Sequence, residues 1–192
     1  ITVGSNESVT IDVIPPVIGD TISDNVEEAT GPDGAIVTYG LPTVTDETDP
    51  APTLECTLPP GSEFPLGDSE VTCTATDESD NSSTKSFTVT VRDTTPPTLS
   101  VPADITITTG NPAGESVLFE ATATDIVDGS IIPVCTPSSG ETFAVGTTQV
   151  LCYATDDTGN KSADSFFDVV VELSYKVQKE SQISLLESLI DD

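Results

Sequence analysis

The sequence has no histidine, no tryptophan and no methionine, and it sets only five lysines and arginines against 33 aspartates and glutamates. Each shortage closes off a class of activity. Without histidine there is no Ser–His–Asp triad and no Cys/His zinc site. Without tryptophan a carbohydrate cleft lacks its usual aromatic platform, so paired carboxylates alone do not read as a glycosidase. No glycine-rich turn is followed by lysine, which removes the phosphate-binding loop. A net charge of −28 repels nucleic acid and anionic lipid, whose recognition needs basic patches. No run of about 18 apolar residues is present, so no segment is suited to direct membrane insertion as a helix. The chain is therefore not expected to be an enzyme, a nucleic-acid binder or a membrane-inserted protein.

With three Tyr and six Phe among 192 residues, a core has to be built mostly from Val, Ile, Leu and Ala. Small β-branched cores favour sheets. The length suits one medium domain or two small ones. Four cysteines fall into two pairs of equal separation, Cys56 with Cys73 and Cys135 with Cys152. An even count at matched spacing reads as two intradomain disulfides and an oxidising, extracytoplasmic setting. Each bridge closes a short loop, worth about 3 kcal/mol in the chain-entropy view. A four-cysteine zinc site shared between the pairs is the weaker alternative.

The chain repeats itself. Asp46/Asp125, Cys56/Cys135, Gly67/Gly146, Cys73/Cys152, Asp77/Asp156, Asn81/Asn160 and Phe87/Phe166 all lie 79 positions apart. The leading motifs "DVIPP" at Asp12 and "DTTPP" at Asp93 are 81 apart, so the second copy is two residues shorter near its start. Within each copy, alternating or continuous apolar runs such as "SVLFEATATD", "TQVLCYATD" and "SFFDVVVEL" predict strands. Turn signals separate them at Pro59-Pro60-Gly61, Asp128-Gly129, Ser138-Ser139-Gly140 and Thr158-Gly159-Asn160. Several short strands in about 80 residues point to a small β-sandwich. The expected organisation is an N-terminal strand at residues 1–11, sandwiches at 12–92 and 93–173, and a helical tail at 174–192. In the tail Ile183, Leu186, Leu189 and Ile190 share a helical face.

The strings "DTTPPTLSVPADITITT", "ATATDIVDGS" and "VCTPSSGETFAVGTTQVLCYATDDTGN" resemble a hyalin repeat (HYR) module, and "PPGSEFPLGDSEVTCTATDESDN" resembles a second. The resemblance covers roughly Asp12–Leu173. It implies an all-β fold of two tandem immunoglobulin-like sandwiches, followed here by the short helical segment. It also implies a place in extracellular or cell-surface proteins associated with adhesion, and no catalysis. Two departures stand out. Asp80 replaces the glycine usual before Asn81. The extra cysteine pair of many animal members is missing, which suggests a microbial form.

An immunoglobulin-like strand order makes a spatial prediction. The segment entering each module, the loop after its second strand and the loop before its last strand should meet at one pole. Those segments carry Asp12, Asp46, Asp49, Asp77 and Asp80 in the first copy. In the second they carry Asp93, Asp125, Asp128, Asp156 and Asp157. The copies bear −14 and −11 of the net charge, so clustered carboxylates call for neutralisation. Calcium, which takes six to eight oxygens in flexible geometry, is the fitting cofactor; it would stiffen the chain at each module's start. Ordinary Asx-turn chemistry explains the same residues without a metal.

Three sequons, at Asn6, Asn81 and Asn160, fit N-glycosylation. Residues 1–13, "ITVGSNESVTIDV", read as the last strand of a preceding module, left from a longer array, or as a strand lent to a neighbouring subunit. No signal peptide is visible, so the chain reads as a processed product or a piece of something larger. The favoured function is a rod of adhesion modules on the cell surface, contacting other surface proteins or copies of itself. A self-assembling filament or envelope-lattice subunit and a glycan- or receptor-binding module are the alternatives.

Overall fold

The computed structural model describes residues 11–20 and 22–190. The expected strand at 1–11 and the sequon at Asn6 therefore lie almost wholly outside the described residues. The chain divides after Asp93 into two compact units.

The first unit holds β1 (Val17–Ile18), β2 (Asn25–Glu28), β3 (Ala35–Val37), β4 (Val44–Thr45), β5 (Thr53–Cys56), β6 (Ser62–Phe64), β7 (Gly67–Thr76) and β8 (Ser82–Arg92). The second holds β9 (Thr98–Ser100), β10 (Ile105–Thr109), β11 (Glu115–Ser116), β12 (Thr122–Asp125), β13 (Gly129–Ile131), β14 (Val134–Thr136), β15 (Thr142–Phe143), β16 (Gly146–Tyr153), β17 (Ser165–Leu173) and the helix α1 (Tyr175–Ile190).

Each unit is built on one four-stranded sheet, in the order β2-β8-β7-β5 in the first and β10-β17-β16-β14 in the second. In both, the early strand runs parallel to the last strand while the other pairs are antiparallel. Shorter pairs, β1-β4 and β3-β6 in the first unit, β9-β12-β13 and β11-β15 in the second, supply the remaining strands. This is the expected all-β, immunoglobulin-like plan.

Alternation along the two long hairpins makes the core. Val71, Cys73 and Ala75 of β7 and Phe87, Val89 and Val91 of β8 are buried, as are Val150 and Cys152 of β16 and Phe167, Val169 and Val171 of β17. In the second unit Val117, Phe143 and half-buried Leu99, Phe119 and Ala121 pack against them. Each fully buried Val or Phe contributes about 1.5–3 kcal/mol through burial. Gly34 and Gly114 sit where a Cβ would meet the carbonyl oxygen of Phe64 at 1.9 Å and of Phe143 at 2.1 Å. Both have φ near +110°, so only glycine lets these backbones approach.

Both disulfides join directly opposed residues of adjacent strands. Cys56–Cys73 links β5 to β7 and Cys135–Cys152 links β14 to β16, with Cα separations of 4.0 and 4.1 Å.

The structure corrects two sequence expectations. The run "SVLFEATATD" is not one strand. It serves two pairings, β11 with β15 and β12 with β9 and β13. Between them the Ser139 hydroxyl stands in for a strand neighbour, accepting from Phe119 N at 2.9 Å and donating to Phe119 O at 2.7 Å. Second, Phe166 is not the counterpart of Phe87. Phe87 is buried opposite Val71, whereas the residue opposite Val150 is Phe167, and Phe166 is 53% exposed. The cause is one extra residue before β17. Thr155 bridges Lys161, but Cys152 already pairs with Ser165. Ser162 fills the irregularity, donating from its N–H to Ala154 O and accepting Ala154 N–H on its hydroxyl, both at 2.9 Å. A one-residue slip turns every side chain to the other face, so the bulge decides which phenylalanine enters the core. The tail forms α1, in which Ile183, Leu185 and Leu186 are exposed and Gln178 Nε2 donates to Leu173 O at 2.9 Å; the side chains of Leu189 and Ile190 lie outside the described residues.

Candidate metal centre at the acidic pole

In the first unit the three acidic segments do meet. The chain enters with Asp12, β4 leads into the loop carrying Asp46 and Asp49, and β7 and β8 are joined by the loop carrying Asp77 and Asp80. Carboxylate oxygens of Asp12, Asp46 and Asp77 lie within 4.8 Å of one another. A shallow cavity of about 110 Å³, lined by Asp12, Thr48, Asp49, Glu78 and Ser79, adjoins them.

Hydrogen bonds fix each segment and tie it to the next. Asp46 Oδ1 accepts the backbone N–H groups of Thr48 and Asp49, both at 2.9 Å, and the Thr48 hydroxyl at 3.1 Å. The Thr48 hydroxyl also lies against Asp12 Oδ2. Asp49 spends both oxygens, accepting Ala51 N at 2.9 Å and Glu78 N at 3.0 Å, and so clamps the second loop to the third. Asp77 Oδ1 accepts the N–H groups of Ser79 and Asn81 at 2.8 Å. Asn81 Nδ2 donates to Asp77 Oδ2 at 2.8 Å and to the main-chain oxygen of Asp12 at 3.2 Å, which pins the entering chain.

The second repeat uses the same devices. Asp125 Oδ1 accepts from Val127 N at 2.7 Å and Asp128 N at 3.1 Å. Asp128 Oδ2 accepts from Asp157 N at 2.8 Å, as Asp49 does from Glu78. Asp156 accepts Asn160 N at 2.7 Å and Asn160 Nδ2 at 2.8 Å. Asp93, Asp128 and Asp156 form the corresponding carboxylate group within 4.8 Å. The two groups differ in one member: the Asp46 position contributes in the first repeat and the Asp128 position in the second.

Of the ten expected metal ligands, six enter these groups. Asp49 and Asp125 stand beside them, turning their loops. Asp80 and Asp157 are exposed, and Asp157 contributes its backbone N–H rather than its carboxylate. Asp80 has φ +67°, and its repeat partner Gly159 has φ +98°. The departure from the usual glycine is thus a left-handed residue at the same turn, which aspartate tolerates better than most side chains. The turn-chemistry and metal readings therefore share residues: the same loops that satisfy their own N–H groups leave carboxylate oxygens converging.

The ion pairs Lys85–Asp20 and Lys161–Asp164, both at 2.6 Å, engage other carboxylates than Asp12, Asp46 and Asp77. Backbone N–H groups of Asp49 and Thr48 hold the Asp46 carboxyl below its ordinary pKa. Burial works to raise Asp156, but the bonds from Asn160, Thr158 and Gly159 together outweigh it and lower it. Asp46 Oδ2 and Asp125 Oδ2 are shut off from solvent and have no hydrogen-bond donor. A buried carboxylate oxygen with no donor is costly unless a cation meets it. The donor set, hard oxygens from three flexible segments, fits calcium; with the cysteines in disulfides and no histidine, it does not fit zinc.

Sequence reasoning did not find Thr48, whose hydroxyl joins Asp12 to Asp46. Its counterpart 79 positions on is Val127, so no repeated signal marked it. Asn81 and Asn160 were visible as repeated sequons and turn residues, but not as the locks they are. Neither side-chain nitrogen can take a glycan without giving up one of its bonds.

The model of the HYR domain family matches residues 11–91 and 92–171. The chain belongs to the HYR domain family. It is 37% identical over 175 residues to a protein named Hyalin from Lytechinus variegatus, a match covering 86% of this chain and 32% of the relative. It is 32% identical over 168 residues to Hyalin from Strongylocentrotus purpuratus, covering 85% of the chain and 14% of the relative. The HYR chain thus spans about a third or less of these curated relatives. Both come from sea urchins, so the microbial form suggested by the missing cysteine pair finds no support. Among solved structures it is similar to human protocadherin-24 EC1-2, at 14% identity and TM-score 0.37 over 83% of this chain and 98% of that one. Drosophila N-cadherin EC1-4 gives 12% identity and TM-score 0.40 over 83% and 50%. Scores this low carry no weight for the fold, which rests on the strand pairing above.

Proposed function

We propose that this chain is a non-enzymatic stretch of an extracellular structural or adhesion protein, whose HYR modules each take a calcium ion at the acidic pole. One observation carries the reading. In each repeat three carboxylates converge within 4.8 Å from separate segments. In the first repeat one of them, Asp46, turns a donor-less oxygen away from solvent. A cation there joins the entering chain to both loops and relieves a repulsion that otherwise opposes closure. Extracellular modules bind calcium at about 10⁻⁴–10⁻³ M, a range that keeps such sites filled outside cells. The two disulfides and the family support the extracellular setting. Partners are other surface proteins or further copies of the chain.

Thermal melting in chelator and in millimolar calcium tests this. Calcium at about ten times Kd stabilises by about 1.4 kcal/mol, which raises Tm by several degrees. Equal melting temperatures in chelator and in 10-fold stepped calcium up to about 10 mM, well above the expected range, would remove the calcium reading.

A further inference from the structure

Both sequon asparagines at the acidic poles commit their side-chain nitrogen to the loop that holds them. Asn81 Nδ2 donates to Asp77 Oδ2 at 2.8 Å and to Asp12 O at 3.2 Å. Asn160 Nδ2 donates to Asp156 Oδ2 and to the Thr158 hydroxyl, both at 2.8 Å. A carboxamide nitrogen has two hydrogens, so each is fully used. N-linked glycosylation joins this nitrogen to the anomeric carbon of an oligosaccharide carried on a lipid diphosphate. The bond from that carbon to the diphosphate oxygen breaks, the lipid diphosphate leaves, and the nitrogen gives up one hydrogen as a proton. One donor then faces two acceptors. The carboxylate acceptors are poorly placed to turn to water instead, since Asp77 and Asp156 are only 6% and 7% exposed.

We propose that at Asn81 and Asn160 an N-linked sugar and the closed acidic loop oppose each other: a sugar weakens the closure by one hydrogen bond, and closure disfavours the sugar. At Asn81 the effect extends to the entering chain, because keeping the bond to Asp77 releases Asp12 and keeping Asp12 releases Asp77. At Asn160 it is confined to the loop itself. The inference rests on the hydrogen bonds alone and stands whether or not a cation binds.

The test uses the full chain secreted from a glycosylating host. Glycoforms are separated on lectin, sugars are mapped by mass spectrometry, and hydrogen exchange is followed at Asp80 and Gly159, whose N–H groups donate to the Asp77 and Asp156 carbonyls. Exchange in a sugar-bearing loop is expected to be roughly fivefold faster or more, the equivalent of one lost hydrogen bond, with the other repeat unchanged. Should the wild-type chain carry no sugar at either position, Asp77→Ala gives the second arm. It removes an acceptor of Asn81, so occupancy at Asn81 rises while Asn160 of the same chain keeps its wild-type level. Sugar-bearing loops that exchange at the unmodified rate overturn the proposal, as does an Asp77→Ala chain with no more sugar at Asn81 than wild type.

Discussion

The loops "CTATDESDN" and "CYATDDTGN" perform the same task in the two repeats at different local cost. Both close on a buried aspartate, Asp77 or Asp156, through the backbone and side chain of the asparagine four residues on. The first reaches that closure with Asp80 in the left-handed region, the second with Gly159. The first then runs straight into β8, while the second spends an extra residue at Ser162 before β17 begins. The outward faces differ further: Thr72, Thr74 and Ser86 in one repeat stand where Leu151, Tyr153 and Phe166 stand in the other. Inward positions and the acid–amide closure are fixed by packing and by hydrogen bonding that has no substitute. The solvent face answers to neither, and there the two copies drift apart.

The register shift makes the largest prediction. Phe167→Ala should cost about 3–5 kcal/mol in urea unfolding, as truncation of a buried phenylalanine does, while Phe166→Ser should stay within about 0.5 kcal/mol. If the two phenylalanines were equivalent to Phe87 in the order that simple alignment gives, the effects would be exchanged. Next in size are the bridges. Replacing Cys56 and Cys73 together by alanine should cost about 2–4 kcal/mol, and the Cys135/Cys152 pair a similar amount, since both loops have a sequence separation of 17.

The turn comes third. Gly159→Asp places an ordinary residue at φ +98° and should destabilise by about 1 kcal/mol, whereas Asp80→Gly relieves strain but loosens the unfolded chain, leaving a smaller gain. Equal and opposite shifts would mean that the difference in φ between the two turns has no energetic consequence. The smallest effect is on acid sensitivity. Asp156 is held below its ordinary pKa of 3.8, so the folded state binds fewer protons there than the unfolded state. Its contribution is complete above about that value and is lost as pH falls through the lowered one. Asp156→Asn should therefore flatten the loss of stability below pH 3.8, read as urea midpoints across an acid series.

Much of this was legible because the chain states it twice. The repeat marked the cysteine pairs, the aspartates of the pole and the two asparagines, and strand order alone brought three distant segments together. What escaped lies where the copies disagree or where periodicity is silent. Thr48 has an apolar counterpart and so left no trace. The slip at Ser162 comes just before the adjacent Phe166 and Phe167, and the sequence pattern does not say which enters the core; the pairing of Cys152 with Ser165 resolves it. The break in "SVLFEATATD" escaped because the alternate residues Val117, Phe119, Ala121 and Ala123 stay buried or half-buried on both sides of it, with a serine hydroxyl replacing the missing neighbour. The helix was visible as a period, but amphipathic spacing does not say that a partner face exists, and Ile183, Leu185 and Leu186 are exposed.

The account stands most directly on whether the carboxylate groups hold ions. Isothermal titration of calcium into the intact chain measures this. The expected result is two sites per chain, one for each group. Asp46→Ala, which removes one member of the first group, should leave a single site with the affinity of the second. No calcium binding up to about 10 mM, or binding that Asp46→Ala leaves unchanged in number and strength, would contradict the account.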